Sequence, residues 1–326
     1  MRLIVTIDTE EDNWDDYGAD RPAVSNVDRI EALQELLDSF GVRPTYLVTY
    51  PVARSPAASG ILRRILDRGG CEIGAHCHPW STPPFEERRT ERNSMLCNLE
   101  PTLQARKIET LTRVIEDSFS RRPTSFRAGR WAYSRGVAAA VASAGYVVDT
   151  SVAPYVDWSE MHGPDFSDVA LRSWFRPGEL FGGPADSEPI EIPATVGFLQ
   201  KNFEVARRLH RRLTRGPIRR LRLYGVLYRM RLLNRVWLSP EFQSSREMIA
   251  LTRVAARNGM RHVNLVFHSS TLQAGLTPFV RTKDDERVFW QRIREYSSFA
   301  RREGLSPILL TDAASARLDS GAPVEP

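Results

Sequence analysis

The stretch Glu72–Trp80, EIGAHCHPW, decides how this chain is read, because it places two of only six histidines one residue apart. On a strand, residues two apart point to the same face, so His76 and His78 project side by side with Cα atoms roughly 6.5 Å apart. On a helix the same two rings diverge. The residues around the pair favour the strand, and similar short runs recur along the chain. Candidate strands are Leu3–Ile7, Thr45–Thr49, Glu72–Ala75, Ser125–Arg127, Tyr146–Asp149, Ile190–Ala194, Val263–Phe267 and Pro307–Leu310. Several are rich in valine, isoleucine and leucine and bounded by glycine, proline or aspartate, as buried parallel strands are.

Helical periodicity falls between these runs, at about 27–40, 57–68, 102–119, 135–144, 244–257 and 283–302. Thr282 and Asp285 form a Thr-x-x-acid capping arrangement at the head of the last one. Alternation of strand and helix argues for a parallel sheet with crossover helices, and about eight strands over this length argue for a closed or nearly closed barrel. The expected architecture is therefore α/β: a distorted (β/α) barrel of seven to eight strands over residues 1–315, followed by a flexible tail, 316–326. Two insertions interrupt it. Residues 154–188 carry Tyr155, Trp158, Trp174 and Phe175, and are expected either to stack on sugar rings at the barrel mouth or to form a cap packed on itself. A basic helical insertion spans about 201–240.

Composition sets the class. A hydrophobic fraction of 42% and a charged fraction of 26% are those of a soluble globular domain. No run approaches the ~18 apolar residues that a membrane span requires. The N-terminal MRLIVTIDTEED does not have a signal peptide's layout, and Cys71, Cys77 and Cys97 form no CxxC, so a reducing, cytoplasmic setting is expected. The net charge of +5 is concentrated: residues 201–235 hold eleven arginines and one lysine against a single acid, Glu204. That stretch reads either as a solvated basic face over packed helices, or as a patch that meets acidic lipid headgroups at the inner face of a membrane or a diphosphate-linked sugar; no nucleic acid is expected.

In such barrels the chemistry sits at the carboxyl ends of the strands. Asp8 and Glu10 follow the first strand, His76 and His78 the third, Arg127 the fourth, Asp149 the fifth, and His268 ends VNLVFH. Two imidazoles with a carboxylate from Asp8, Glu10 or Asp12 make a donor set for one divalent ion, zinc first, with cobalt, manganese, nickel and iron also accepted. Such an ion supplies a water nucleophile near neutral pH. A second carboxylate could take its proton, and His268 could protonate a leaving group. Glu11, Asp15 and Asp16 read as ordinary turn acids, His162, His210 and His262 as satisfied structural histidines, and Cys77 as a small buried residue.

These motifs, in order, resemble those of the polysaccharide deacetylases, carbohydrate esterase family 4 or NodB-homology domains. TIDTEED resembles the first motif, EIGAHCHP the second, FRAGRW the third, VVDTSV the fourth and LVFHSS the fifth, over residues 3 to about 312. The resemblance implies a metal-dependent hydrolase that removes an N-acetyl or O-acetyl group from a saccharide, lipid- or nucleotide-linked in one version, during polysaccharide or glycoconjugate assembly. It implies Asp8 as general base, Glu10, His76 and His78 as metal ligands, and Arg127 as the partner that orients Asp8. It further implies His268 as general acid and Asp149 as the group that tunes that histidine. Trp131, Tyr155, Trp158 and Trp174 are the candidate substrate-stacking aromatics. Two features depart from the family pattern: Thr9 separates the first-motif acids, which leaves the roles of Asp8 and Glu10 exchangeable, and the histidine pair is closer than usual. Both, with HSSTLQAGLTPFVRT, resemble a subset of the family found near polysaccharide biosynthesis genes. The alternatives are a barrel amidohydrolase acting on another C–N bond, and a catalytically inactive barrel that binds glycan or lipid.

Overall fold

A computed structural model of the chain describes residues 1–12, 14, 17, 22–182, 188–215 and 223–320. Asp15, Asp16, Arg219, Arg220 and the chain from 321 onward lie outside the described residues, while 316–320 complete a helix, Leu310–Ser320, rather than opening a tail.

The strands are β1 (Arg2–Thr9), β2 (Thr45–Val48), β3 (Glu72–Cys77), β4 (Ser125–Ala128), β5 (Val148–Asp149), β6 (Ile190–Glu191), β7 (Val196–Phe198), β8 (Arg235–Trp237), β9 (His262–His268) and β10 (Ser306–Pro307). Eight of them form one sheet in the order β10-β1-β2-β3-β4-β5-β6, with β9 on the other side of β1, and every pairing is parallel. The sheet curls into a distorted (β/α) half-barrel. Its gap, between β6 and β9, is bridged by irregular chain: Thr195 N–H donates to Asn264 O at 3.2 Å, and Val266 N–H to Leu238 O at 3.0 Å.

Helices flank the sheet where the periodicity places them: Ile30–Asp38, Pro56–Asp67, Pro101–Phe119, Arg135–Ser143, Ser245–Arg257 and Lys283–Arg302. Each buries an apolar stripe, such as Leu103, Ile108, Leu111, Ile115 and Phe119 on the third, so both faces of the strands are covered and the strands read as unbroken apolar runs. The capping box at Thr282 and Asp285 is formed. The antiparallel pair β7–β8 has no counterpart in the sequence reading. Its paired residues lie far apart in sequence, Val196 opposite Trp237 and Phe198 opposite Arg235, so no local turn signal marks them.

Register brings the reactive residues to one level. Asp8 pairs with His268 across β1–β9, and His76 with Arg127 across β3–β4. Beneath them the barrel interior is polar: Arg127 donates to Thr6 Oγ1 at 2.7 Å and to Thr150 O at 2.9 Å, and Thr6 donates to Asn264 Oδ1 at 3.0 Å.

The aromatic insertion mostly packs on itself. Tyr155, Phe166 and Leu171 are buried, and Tyr155 Oη accepts from Leu171 N–H at 2.9 Å. The basic insertion folds into helices Phe203–Thr214 and Leu223–Arg229. It docks on the aromatic one by charge: Arg207 and Arg211 pair with Asp168, and Arg215 with Asp157 and Asp165. Among the described residues no helix is long and apolar enough to cross a membrane.

Candidate metal centre and active-site cleft

A cleft of about 280 Å³ opens at the carboxyl ends of the strands and is walled by Asp8, Glu10, His76, His78, Arg127 and His268 together with seven aromatic side chains. Trp131 and Trp158 are among those aromatics; Trp14, Tyr17, Trp80, Phe242 and Phe279 complete them.

The centre begins with the two histidines. His76 Nδ1 lies 3.2 Å from Arg127 O, which can only accept, so that nitrogen carries the proton. His78 Nδ1 lies 3.0 Å from Glu11 Oε1. Burial opposes charge on Glu11, but His78 outweighs it and holds the carboxyl at about 2, so Glu11 also accepts. Both Nε2 atoms are thereby turned to each other across 3.0 Å. Two imidazole lone pairs do not sit that close unless positive charge lies between them. A proton on His78 or a shared cation meets the requirement, and Glu10 Oε2 stands 3.4 Å from His78 Nε2 and 3.7 Å from His76 Nε2 to share in it. Donor atoms of Glu10, His76 and His78 all lie within 4.8 Å of one another. Two imidazoles and one carboxylate are the donor chemistry of a catalytic zinc-type site, so these residues fit a divalent ion. Burial pushes His76 down to about 3, keeping it neutral, and pushes Glu10 up to about 7.

Neighbours fix the candidate ligands. Trp80 stacks on His78 with ring centroids 4.1 Å apart. On the other side, a Cβ on Gly129 would fall 2.2 Å from His78 Cδ2, so only glycine permits this approach. The buried Lys107 ammonium donates to Pro79 O, Thr82 O and Pro84 O at 2.8–2.9 Å, anchoring the loop that follows His78. Asn26 donates to Glu10 O at 2.8 Å.

Asp8 sits beside this group. Arg127 Nη1 donates to Asp8 Oδ1 at 2.5 Å, leaving Oδ2 facing His76 Nε2 at 3.8 Å and His268 Nε2 at 3.6 Å. Burial would raise the Asp8 carboxyl, but Arg127, with His76 and His268, outweighs it and holds Asp8 below its ordinary value. Arg130 and Trp131 both adopt left-handed backbone, φ 56° and 59°, conformations that non-glycine residues hold only under tertiary constraint. The second carries the Trp131 ring over the Arg127 guanidinium at 4.9 Å.

His268 is held from behind by Glu241, whose Oε1 lies 3.0 Å from Nδ1 and also accepts from the His268 N–H at 2.9 Å. Burial works against the imidazolium, yet Glu241, then Glu10, raises it to about 10. With its side chain 19% exposed, His268 reaches the cleft.

Several expected placements differ. Asp149 does not touch His268: it lies buried against Glu191, and burial pushes it up to about 6 against the hydrogen bond from Glu191, while burial and then the Asp149 charge push Glu191 well above its ordinary value, so Glu191 is the one that carries a proton. Tyr155 and Trp174 are off the cleft; Tyr155 pins the 154–171 loop, and Trp174 packs behind the sheet against Ile4, Ile190 and Leu310. Asp12 is not on the face of Asp8, because β1 ends at Thr9; instead it accepts from Ser25 and Asn26. Glu11, read as a turn acid, is 4% exposed and orients His78. Glu241 was not anticipated, and nothing in LSPEF signals a residue that reaches 27 positions onward to His268.

No family model matches the chain, and no curated protein is significantly similar to it. Solved structures share its fold. A protein from Mycobacterium smegmatis assigned to the polysaccharide deacetylases superposes with a TM-score of 0.56 at 15% identity, covering 99% of this chain and 93% of that one. The allantoinase Puue gives 0.55 at 11% identity, covering 98% and 91%. The 4-alpha-glucanotransferase of Thermococcus litoralis gives 0.55 at 12% identity, covering 97% of this chain and 40% of its own. The chain thus resembles the polysaccharide deacetylases in fold, and the same barrel serves other activities.

Proposed function

We propose that this protein is a metal-dependent deacetylase that removes an acetyl group, N-linked in the first instance, from a saccharide. The supporting observation is the convergence on one cleft of three parts: the Glu10–His76–His78 group, an Asp8 carboxylate held by Arg127, and a His268 imidazolium held by Glu241.

A divalent ion at Glu10, His76 and His78, zinc for preference, would supply Lewis acidity and an activated water. The chain's own groups divide the proton work. Asp8 is kept ionised, and its Oδ2 is the oxygen left open to take a proton from the attacking water. His268, charged through Glu241, holds a proton on Nε2 for the departing nitrogen. Arg127 keeps Asp8 ionised and oriented. Trp131 and Trp158 offer stacking faces to a sugar ring, and the further aromatics exclude water.

In this reading Glu10 is the ligand and Asp8 the base, which is supported by reach: Glu10 faces both Nε2 atoms, whereas Asp8 is tied to Arg127. The test is acetate release from a panel of N-acetylhexosamine saccharides by the zinc-, cobalt- or manganese-loaded protein, compared with His78→Ala and Asp8→Asn. Acetate release that both changes abolish supports the reading; release surviving both overturns it. The second reading, hydrolysis of a C–N bond in a smaller amide, is favoured by the cleft's enclosure in seven aromatic rings. It would be supported by turnover of non-sugar amides in the same assay with no acetate from any saccharide.

A further inference from the structure

Surface helices ordinarily present a polar outer face. The two helices of the basic insertion do not. Nine large apolar side chains are exposed among the described residues, and six of them, Val205, Leu209, Leu223, Val226, Met230 and Leu232, fall within 205–232. Val205 and Leu209 are one turn apart on the first helix, Leu223 and Val226 one turn apart on the second, and Met230 and Leu232 follow just beyond its end. The inward positions are other residues: Phe203, Ala206 and His210 are buried on the first helix, Tyr224 and Leu227 on the second are partly buried against the core, and the His210 ring packs edge-on to Tyr224 at 4.6 Å. The exposed stripes are therefore a second apolar surface, not misplaced core. Scattered apolar residues need no partner, but a concentrated patch does.

Charge identifies the partner. The arginines turned toward the protein are matched by its own acids: Arg207 and Arg211 by Asp168, Arg215 by Asp157 and Asp165. Arg212, Arg229 and Arg231 are exposed and carry no ion pair among the described residues. The only acid on these helices, Glu204, is taken by Arg207 and Arg208. Among the described residues, these outer arginines are left available to an external anion. Exposed apolar side chains interspersed with arginines that have no ion pair among the described residues match the interface of an anionic bilayer, where the former enter the acyl boundary and the latter meet phosphates.

We propose that the outer face of helices Phe203–Thr214 and Leu223–Arg229 seats this protein peripherally on anionic membranes. Because the first of these helices pairs through Arg207 and Arg211 with Asp168 of the aromatic insertion that carries Trp158, seating would bring that insertion toward the lipid surface.

The test is vesicle flotation of the full chain with phosphatidylcholine alone and with equal parts phosphatidylcholine and phosphatidylglycerol. The wild type should float with the anionic vesicles at low salt, lose most of that binding at high salt, and stay off phosphatidylcholine. Leu209→Asp/Val226→Asp/Met230→Asp should lower partitioning on the order of tenfold or more. Arg212→Glu/Arg229→Glu, which leaves the apolar stripes intact, should abolish the preference for phosphatidylglycerol and serves as well if the first variant does not fold. Wild type that fails to float, variants that float like wild type, or a concentration-dependent dimer lost in these variants would each overturn the proposal, the last by assigning the face to a second copy. None of these readouts depends on acetate release.

Discussion

The Nε2 atoms of His76 and His78 face each other across 3.0 Å, each with its Nδ1 committed to a neighbour. The pair is thus preset to accept positive charge, and Glu11 is what presets half of it. A carboxylate behind a metal-ligating imidazole fixes the tautomer and raises basicity, and its loss weakens metal affinity by ~10–100-fold. Glu11→Gln should lower zinc affinity within that range in isothermal titration, while His78→Ala should leave no tight site. Equal affinities for wild type and Glu11→Gln would refute the orienting role.

Arg127 and Asp8 form an ion pair whose side chains are 1% and 5% exposed. Removing one partner of such a pair strands a buried charge, at about 3–5 kcal/mol. Arg127→Met should destabilise the fold by this order in urea titrations, and adding Asp8→Asn should recover much of the loss, because the stranded carboxylate is then neutral. If the double variant is as unstable as the single one, the cost comes from packing under Trp131 instead.

Glu241 should set the alkaline limit of any activity the cleft has. It is the largest of the groups that raise the His268 imidazolium, which reaches about 10. With Glu241→Gln that support is lost and His268 gives up its proton at lower pH, so the alkaline limb of the rate profile should move down while the acid limb stays. A limb that does not move would separate His268 from the proton transfer.

His262, at the start of β9, is buried with Nε2 lacking a hydrogen-bond partner, and burial, aided by Arg2 and Arg261, depresses it to about 4. Its folded value lies below the unfolded one, so its contribution is fully present above pH ~6.5 and is lost as pH falls toward 4, by up to about 3 kcal/mol. Denaturant titrations should show this decline, and His262→Phe should flatten it.

How much of this was legible without the fold depends on how local each signal is. Strand and helix positions could be read from periodicity, and strand ends from the punctuation around them, because buried parallel strands and amphipathic helices write their environment into neighbouring residues. The same logic led to His76 and His78 through their spacing, and to Asp8, Arg127 and His268 through their places at strand ends. Where the evidence lay across the barrel, the reading erred. Asp149 and Glu241 are both acids near a strand end, and only the approach of β8's outgoing loop to β9 made Glu241 the one behind His268. Glu11 looked like a turn acid because the end of β1 at Thr9, which swings it under His78, has no marker in TIDTEED. Tyr155 and Trp174 share their composition with Trp158, yet packing sent two inward and one to the cleft. Residue types and their order along the chain were thus determined by sequence alone. The pairing of each charged group with its partner was decided by tertiary structure, since electrostatic and hydrogen-bond energies depend on distances of a few ångströms between segments that sequence separation does not constrain.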